Sequence, residues 1–171
     1  ADGVDLDQGI EIGIAGLELD HAGAGRAVQR FQHHIAVTLM EVDEGDRVKT
    51  GPDSRAEVTL EDGAAFEVGP DSDFGLEGLG AREATLSLNL GSLWAKVQSA
   101  FAARAAVRVK TPTAVAAVRG TEFAVEHTAD GATHVGVYDE GKVAVAEADA
   151  PAEEVVLEPD REVTVRRGLP E

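Results

Sequence analysis

The fold of this chain is decided by the stretch Lys110-Thr111-Pro112-Thr113-Ala114-Val115-Ala116-Ala117-Val118-Arg119-Gly120-Thr121-Glu122-Phe123-Ala124-Val125. It indicates strands that are joined through a Thr-Pro step and an Arg-Gly-Thr corner. Val107 and Val109 alternate with charged residues, as in a half-buried strand, and Pro112 ends that run because it has no N–H for a ladder. Gly120 stands where the chain must turn sharply, and Phe123 resumes the alternation.

The composition favours the same class of fold. Of the 171 residues, 43% are hydrophobic but only 4% are aromatic, so the core must be built mainly from Val, Ala and Leu. Such residues suit thin, regular β layers. We expect an all-β domain in which short, stacked antiparallel or solenoid-like strands form a β-roll or a β-sandwich.

An internal repeat supports the stacked arrangement. Gly51-Pro52-Asp53-Ser54 recurs as Gly69-Pro70-Asp71-Ser72, and each copy is a β-turn signal. A period of about 20 residues per coil is typical of a β-solenoid or a flattened β-roll. Further along, the apolar alternation changes parity at Gly91, which predicts a bulge or corner there. Asp130-Gly131 and Glu140-Gly141 are predicted to be tight turns.

Two segments resemble one known family. The V-x-T-P segment that ends at Pro112, followed by V-R-G-T-x-F over residues 118–123, is similar to the core signature of the FecR-like domain, an extracytoplasmic bacterial module. The block from Glu44 to Glu57, EGDRVKTGPDSRAE, looks like the opening block of that family. The resemblance covers roughly residues 41 to 167, which we expect to form the FecR-like β domain, with residues 1–40 as an N-terminal extended strand and linker.

The signature residues are interpreted as fold determinants. Gly120 supplies a backbone angle that other residues resist, Thr121 can cap the turn through its hydroxyl, and Arg119 can bond carbonyls or a carboxylate across the sheet. The structural motif that we predict comprises Thr111, Pro112, Arg119, Gly120, Thr121 and Phe123.

The N-terminal segment has one apolar row. It comprises Val4, Leu6, Ile10, Ile12 and Ile14, all on even positions. One interpretation is a strand that closes the first sheet of its own domain. The other is a donated assembly strand that inserts into a neighbouring subunit, because an unpaired edge with an apolar face is a template for β-augmentation.

No catalytic constellation is apparent in the sequence. There is no Cys and no G-x-S-x-G motif. His127 and His134 flank the Asp130-Gly131 turn, so they are either solvent-facing hairpin residues or, facing each other across the hairpin, two ligands of a zinc site. Trp94, the only Trp, is interpreted as a core residue, with an exposed binding hot spot as the alternative.

The acidic charge limits the choice of partner. The formal net charge is −17, which disfavours nucleic acid, because binding it requires Lys and Arg to neutralise phosphates. We expect no cofactor. Calcium is the one candidate, and it would bind at two acidic clusters. Neither cluster matches the full twelve-residue calcium loop, and the alternative is that both are solvated turn acids. The clusters are Asp2, Asp5 and Asp7, and Asp71, Asp73 and Glu77.

The resemblance implies a non-enzymatic protein-interaction module in signalling or in the cell envelope. It implies an extracytoplasmic location, which is periplasmic, cell-surface or secreted, in a bacterium or archaeon. The best-known members are anti-sigma regulators that receive a signal from an outer-membrane transporter through a protein contact. No stretch here approaches the roughly 18 apolar residues of a membrane span, so we expect a stand-alone relative. One alternative is a self-assembling surface or filament subunit, a homopolymer in which segment 1–19 is donated as a β-strand between copies. The other is a β module that binds divalent cations or carbohydrate.

Overall fold

The computed structural model describes residues 11–20 (as a backbone strand), 42–60, 64–80, 82–98 and 105–167. The described residues form twelve β-strands and no helix, so the all-β prediction is confirmed. The strands are β1 (Glu11–Asp20), β2 (Arg47–Leu60), β3 (Ala64–Val68), β4 (Asp73–Gly80), β5 (Glu83–Val97), β6 (Ala106–Lys110), β7 (Ala114–Arg119), β8 (Glu122–His127), β9 (Ala132–Val137), β10 (Lys142–Glu147), β11 (Ala150–Leu157) and β12 (Arg161–Arg166). No helix in this part of the chain is long and apolar enough to cross a membrane.

The strands form one hydrogen-bonded sheet that folds into two layers. β4 pairs with the first halves of both β2 and β5. The first half of β5 also pairs with β6, after which β7, β10 and β11 follow in that order. β3 pairs with the second halves of both β2 and β5. The second half of β5 also pairs with β8, after which β9 and β12 follow in that order. We call these the first layer and the second layer. The two long strands therefore belong to both.

Gly91 is the point where β5 passes from one layer to the other. Its φ is +92°, in the left-handed region that favours glycine, and a Cβ built on it would lie 2.6 Å from the Cα of Ser72. Before it Leu86 and Leu88 are buried, and after it Leu93 is buried on the opposite parity. The predicted corner at Gly91 is confirmed.

The repeated G-P-D-S sequence has a different conformation in each copy. The second copy is a turn between β3 and β4, with Asp71 at a φ of +50°. The first copy lies inside β2, so the prediction of a turn there is wrong. Its Gly51 instead marks the place where β2 changes its partner from β4 to β3, and the Gly51 carbonyl accepts a hydrogen bond from the Asp71 N–H (3.2 Å). The two copies thus contact each other.

One apolar cluster fills the space between the layers. Its largest fully buried side chains are Phe66, Phe74 and Phe123, and most of the remainder are Val, Leu and Ala, as the composition indicated. Complete burial of one such phenylalanine stabilises the fold by about 1.5 to 3 kcal/mol. Both layers contribute to the cluster. The large hydrophobic side chains that remain exposed among the described residues are Leu90, Trp94, Tyr138, Val155 and Val156.

Of the connections that cross between the layers, two lie against each other. The chain leaves β7 in the first layer and enters β8 in the second through Gly120, and it returns from β9 to β10 through residues 138–141. Glu140-Gly141 is therefore part of a crossing rather than a hairpin turn. Asp130-Gly131 does form the predicted hairpin between β8 and β9, and Gly131 has a φ of +85°.

Candidate protein-interaction surface

The outer face of the second layer carries two exposed aromatic rings. Trp94 is 43% exposed and Tyr138 is 52% exposed, and their rings are stacked with centroids 4.7 Å apart and planes inclined by 22°. Trp94 points outward because Leu93 and Ala95 occupy the inner face of the same strand after the corner at Gly91. The interpretation of Trp94 as a core residue is therefore wrong.

Small residues form the floor beside the rings. In the cross-strand register Trp94 lies opposite Ala124, Ala124 opposite Gly136, and Gly136 opposite Glu162. A Cβ at Gly136 would lie 3.0 Å from the hydroxyl of Tyr138, so the phenol passes closely over the bare backbone. The result is a groove with a volume of about 290 Å³ that runs from the phenol to β12.

Polar side chains occupy the rest of this groove. Glu126 lies opposite His134, which lies opposite Thr164, and the His134 Nδ1 is 2.8 Å from the Thr164 hydroxyl oxygen. Glu126 and Glu162 are exposed, and neither forms a hydrogen bond or an ion pair within the part of the chain that the structure describes. The groove thus combines the ring of Tyr138 with two unpaired carboxylates.

Two cations beside this face, Lys96 and Arg166, are already paired. Lys96 forms an ion pair and a hydrogen bond with Glu122, and these raise the pKa of the Lys96 ammonium group above its ordinary value. Arg166 contacts Asp130 at 3.4 Å. Hydrogen bonds from the Thr128 hydroxyl and the Ala132 N–H hold the pKa of Asp130 below its ordinary value.

The Thr-Pro step forms a polar cluster at the end of the core. The Thr111 hydroxyl accepts a hydrogen bond from the Ala114 N–H (2.9 Å) and closes the hairpin between β6 and β7, while Pro112 is exposed. The hydroxyl oxygen of Thr133 lies 2.7 Å from those of Thr111 and Thr113, and 2.9 Å from the His127 Nδ1. The residues of this cluster are buried, apart from the exposed Pro112, so their hydroxyl groups and the His127 ring satisfy one another away from solvent.

The Arg-Gly-Thr corner belongs to the crossing between the layers. Gly120 has a φ of +61°, and the Thr121 hydroxyl donates to the Asp139 carbonyl (3.0 Å) of the other crossing, while Phe123 is fully buried. Arg119 is exposed, and its side chain forms no hydrogen bond or ion pair with the described residues, so the cross-sheet bonds expected of it are not formed.

The two histidines of the hairpin lie on opposite faces of the sheet. His127 points into the core against Thr133, and His134 points outward, because their positions differ by one step of the register. Because the side chains of His127 and His134 point to opposite faces of the sheet, these two histidines cannot bind one zinc ion. In the acidic cluster after the second turn, Asp73 pairs with Arg47 and Glu77 with Lys110. Within the described residues no group of three or more His, Cys, Asp or Glu side chains is placed to hold a metal.

The predicted assembly strand is described only in part. Ile12 and Ile14 lie in β1, where they stand opposite Val58 and Ala56 of β2 in the same chain. Val4, Leu6 and Ile10 lie outside the described residues, as do Asp2, Asp5 and Asp7.

Comparisons with known proteins connect this fold to one family. The profile of the family described as FecR protein matches residues 46–144, more than half of the chain. Two crystal structures of a candidate anti-sigma factor from Parabacteroides distasonis ATCC 8503, at 1.65 and 2.50 Å resolution, are similar with TM-scores of 0.61 and 0.60. Each is 20% identical in sequence; the match covers 73% of this chain but only 57% and 56% of theirs, so this likeness concerns the fold. No curated protein matches the chain.

Proposed function

Because the chain belongs to the FecR family, we propose that it is a non-enzymatic protein-interaction module that acts outside the cytoplasm in signalling or in the cell envelope. The observation that supports this function best is the exposed, stacked pair of Trp94 and Tyr138 beside a groove. Exposed aromatic residues are enriched at the energetic centres of protein interfaces.

Site-specific photo-crosslinking tests the proposal. A photoreactive amino acid replaces Glu126 beside the rings or, as the control, Glu153 on β11 of the other layer, and each protein is expressed in its source cells. We expect a discrete protein adduct only from position 126, in the extracytoplasmic fraction. The identified partner should bind the purified chain, and Trp94→Ala should weaken that binding by at least about tenfold, which is about 1.4 kcal/mol. Equal adducts from both positions, or a cytoplasmic chain, would contradict the proposal.

A second candidate function is self-assembly by strand donation. β1 is hydrogen-bonded to β2 alone among the described strands, so the same antiparallel ladder can form between two copies of the chain. Light scattering on the full chain and on a chain without residues 1–19 tests this. Large assemblies that disappear on truncation would support donation, and a monomer near 17.8 kDa for the full chain would exclude it.

A further inference from the structure

We propose that the groove beside Trp94 and Tyr138 binds a lysine or arginine side chain, presented by an extended basic segment of the partner protein. The inference rests on the proposed function and names the chemistry of the partner. Neither the aromatic rings nor the carboxylates of this groove belong to the signature motif of the family.

The shape of the groove suits one long, unbranched side chain. Its volume of about 290 Å³ corresponds to roughly ten water molecules at the volume that each has in the liquid. The floor of Ala124 and Gly136 has no side chain longer than a methyl group. An aliphatic stem can therefore lie along this floor while its charged end reaches the polar part of the groove.

The walls of the groove suit a cation. Of the two stacked rings, Tyr138 lines the groove and Trp94 packs against it. An aromatic ring attracts an ammonium or guanidinium group placed over its face, and this attraction strengthens where water is excluded. Glu126 and Glu162 line the same groove and have no cationic partner in the described chain, whereas Lys96 and Arg166 are already paired. An anionic side chain would meet two carboxylates here, and a neutral one would leave both unpaired.

The edge of the sheet favours an extended segment. β12 is hydrogen-bonded to β9 and to no other described strand, so its second edge can accept a strand from a partner. In such a strand every second side chain would point to the face that carries Glu162 and Thr164. The formal net charge of −17 would also accelerate the approach of a basic segment.

The single tryptophan makes the inference directly measurable. Trp94 is the only Trp of the chain and stacks on Tyr138, which lines the groove, so its fluorescence reports on this aromatic pair. The probes are three five-residue threonine peptides with lysine, glutamate or serine at the second and fourth positions. We expect the lysine peptide to change the emission saturably and the other two to leave it unchanged. The affinity should fall as salt is added, because the carboxylates are exposed.

Charge-matched variants separate the groove from the general acidity of the chain. Glu126→Gln with Glu162→Gln removes two charges from the groove, and Glu153→Gln with Glu154→Gln removes two from the exposed strand β11. The first pair should weaken binding of the lysine peptide about fivefold, because it removes both carboxylates that the ammonium groups would contact. The second pair should leave the affinity within about twofold. Equal losses in both variants, or no binding, would overturn the inference.

Two results distinguish this inference from the proposed function on which it rests. If the protein crosslinked at position 126 contacts the groove through an acidic or neutral segment, the cationic inference fails and the proposed function stands. If a neutral oligosaccharide quenches Trp94 and neither the lysine peptide nor a crosslinked protein binds, both fail. A crosslinked segment with a lysine or arginine at the contact supports both.

Discussion

Gly141 packs directly against Gly120. A Cβ built on Gly141 would lie 2.6 Å from the carbonyl oxygen of Gly120 and 2.6 Å from the Cβ of Thr121. Both glycines have positive φ angles, +139° and +61°. The β7–β8 and β9–β10 connections, both of which cross between the layers, are therefore stacked on each other. This contact brings residues 138–140 to the start of β8 and places Tyr138 within reach of Trp94.

Substitution of Gly141 by alanine should destabilise the fold strongly. The alanine Cβ would collide with backbone atoms, and a φ of +139° is costly for any L side chain. We expect a loss of about 2 to 4 kcal/mol in the free energy of unfolding, from strain and overpacking together. Gly131→Ala is the matched control. Gly131 also has a positive φ, but no atom lies within 4 Å of its built Cβ, so its loss should be about 1 to 2 kcal/mol. Urea unfolding followed by circular dichroism measures both, and equal losses would refute the packing argument.

Thr133→Val should destabilise the polar cluster at the end of the core. The Thr133 hydroxyl is completely buried and contacts the hydroxyls of Thr111 and Thr113 and the ring of His127. Valine has the same shape but leaves these buried groups without their partner, which costs about 1 to 3 kcal/mol. The control is Thr164→Val at an exposed position, for which we expect less than about 0.5 kcal/mol. Thermal unfolding of the two variants would count against this role of Thr133 if their melting temperatures shifted alike.

His127 should make the stability depend on pH below neutrality. Burial lowers the pKa of His127 from its ordinary 6.5, while the charge of Asp130 opposes part of that effect. The unfolded chain therefore takes up a proton at about pH 6.5 that the folded chain does not bind until a lower pH. Stability contributed by this residue is complete above pH 6.5 and falls as the pH drops, by at most about 1.4 kcal/mol per pH unit.

The measurement is urea unfolding at intervals from pH 7 to pH 5. His127→Gln keeps a polar group next to Thr133 but cannot take up a proton in this range. We expect its free energy of unfolding to change less over the series than that of the unaltered chain. The same slope in both proteins would assign the pH dependence to other groups.

The strands and corners of this fold were largely predictable from the sequence. Alternation locates most strands, because a half-buried strand must repeat every two residues, and Gly91 and Gly120 stand where the backbone needs a positive φ. The first G-P-D-S copy was predicted wrongly because turn residues also suit a bend inside a strand that changes partners. The sequence cannot distinguish these cases, since the choice depends on the distant strands β3 and β4.

The candidate surface could not be predicted, because its residues come together only through the register in which separate strands pair. Trp94, Ala124, Gly136 and Glu162 lie on four strands and form one row only when those strands align. One signal was present: the parity change at Gly91 puts Trp94 on the face opposite to Leu93, which argues for exposure. The position of Tyr138 depends on the crossing at Gly141, and no local pattern reveals it. The same register reasoning shows why His127 and His134 cannot share an ion.

The stacked rings should contribute to binding far more than to folding. Tyr138→Ala removes a half-exposed phenol and an aromatic pair that is worth about 0.5 to 1.5 kcal/mol, so the free energy of unfolding should fall by no more than that. Phe123→Ala, which empties a completely buried site, should cost about 3 to 5 kcal/mol. In the folded Tyr138→Ala protein the Trp94 emission should shift to longer wavelength, because one ring face gains contact with water. Affinity for the lysine peptide should fall with little change in melting temperature. If Tyr138→Ala instead unfolded the chain as readily as Phe123→Ala, the pair would be part of the core and not a recognition surface.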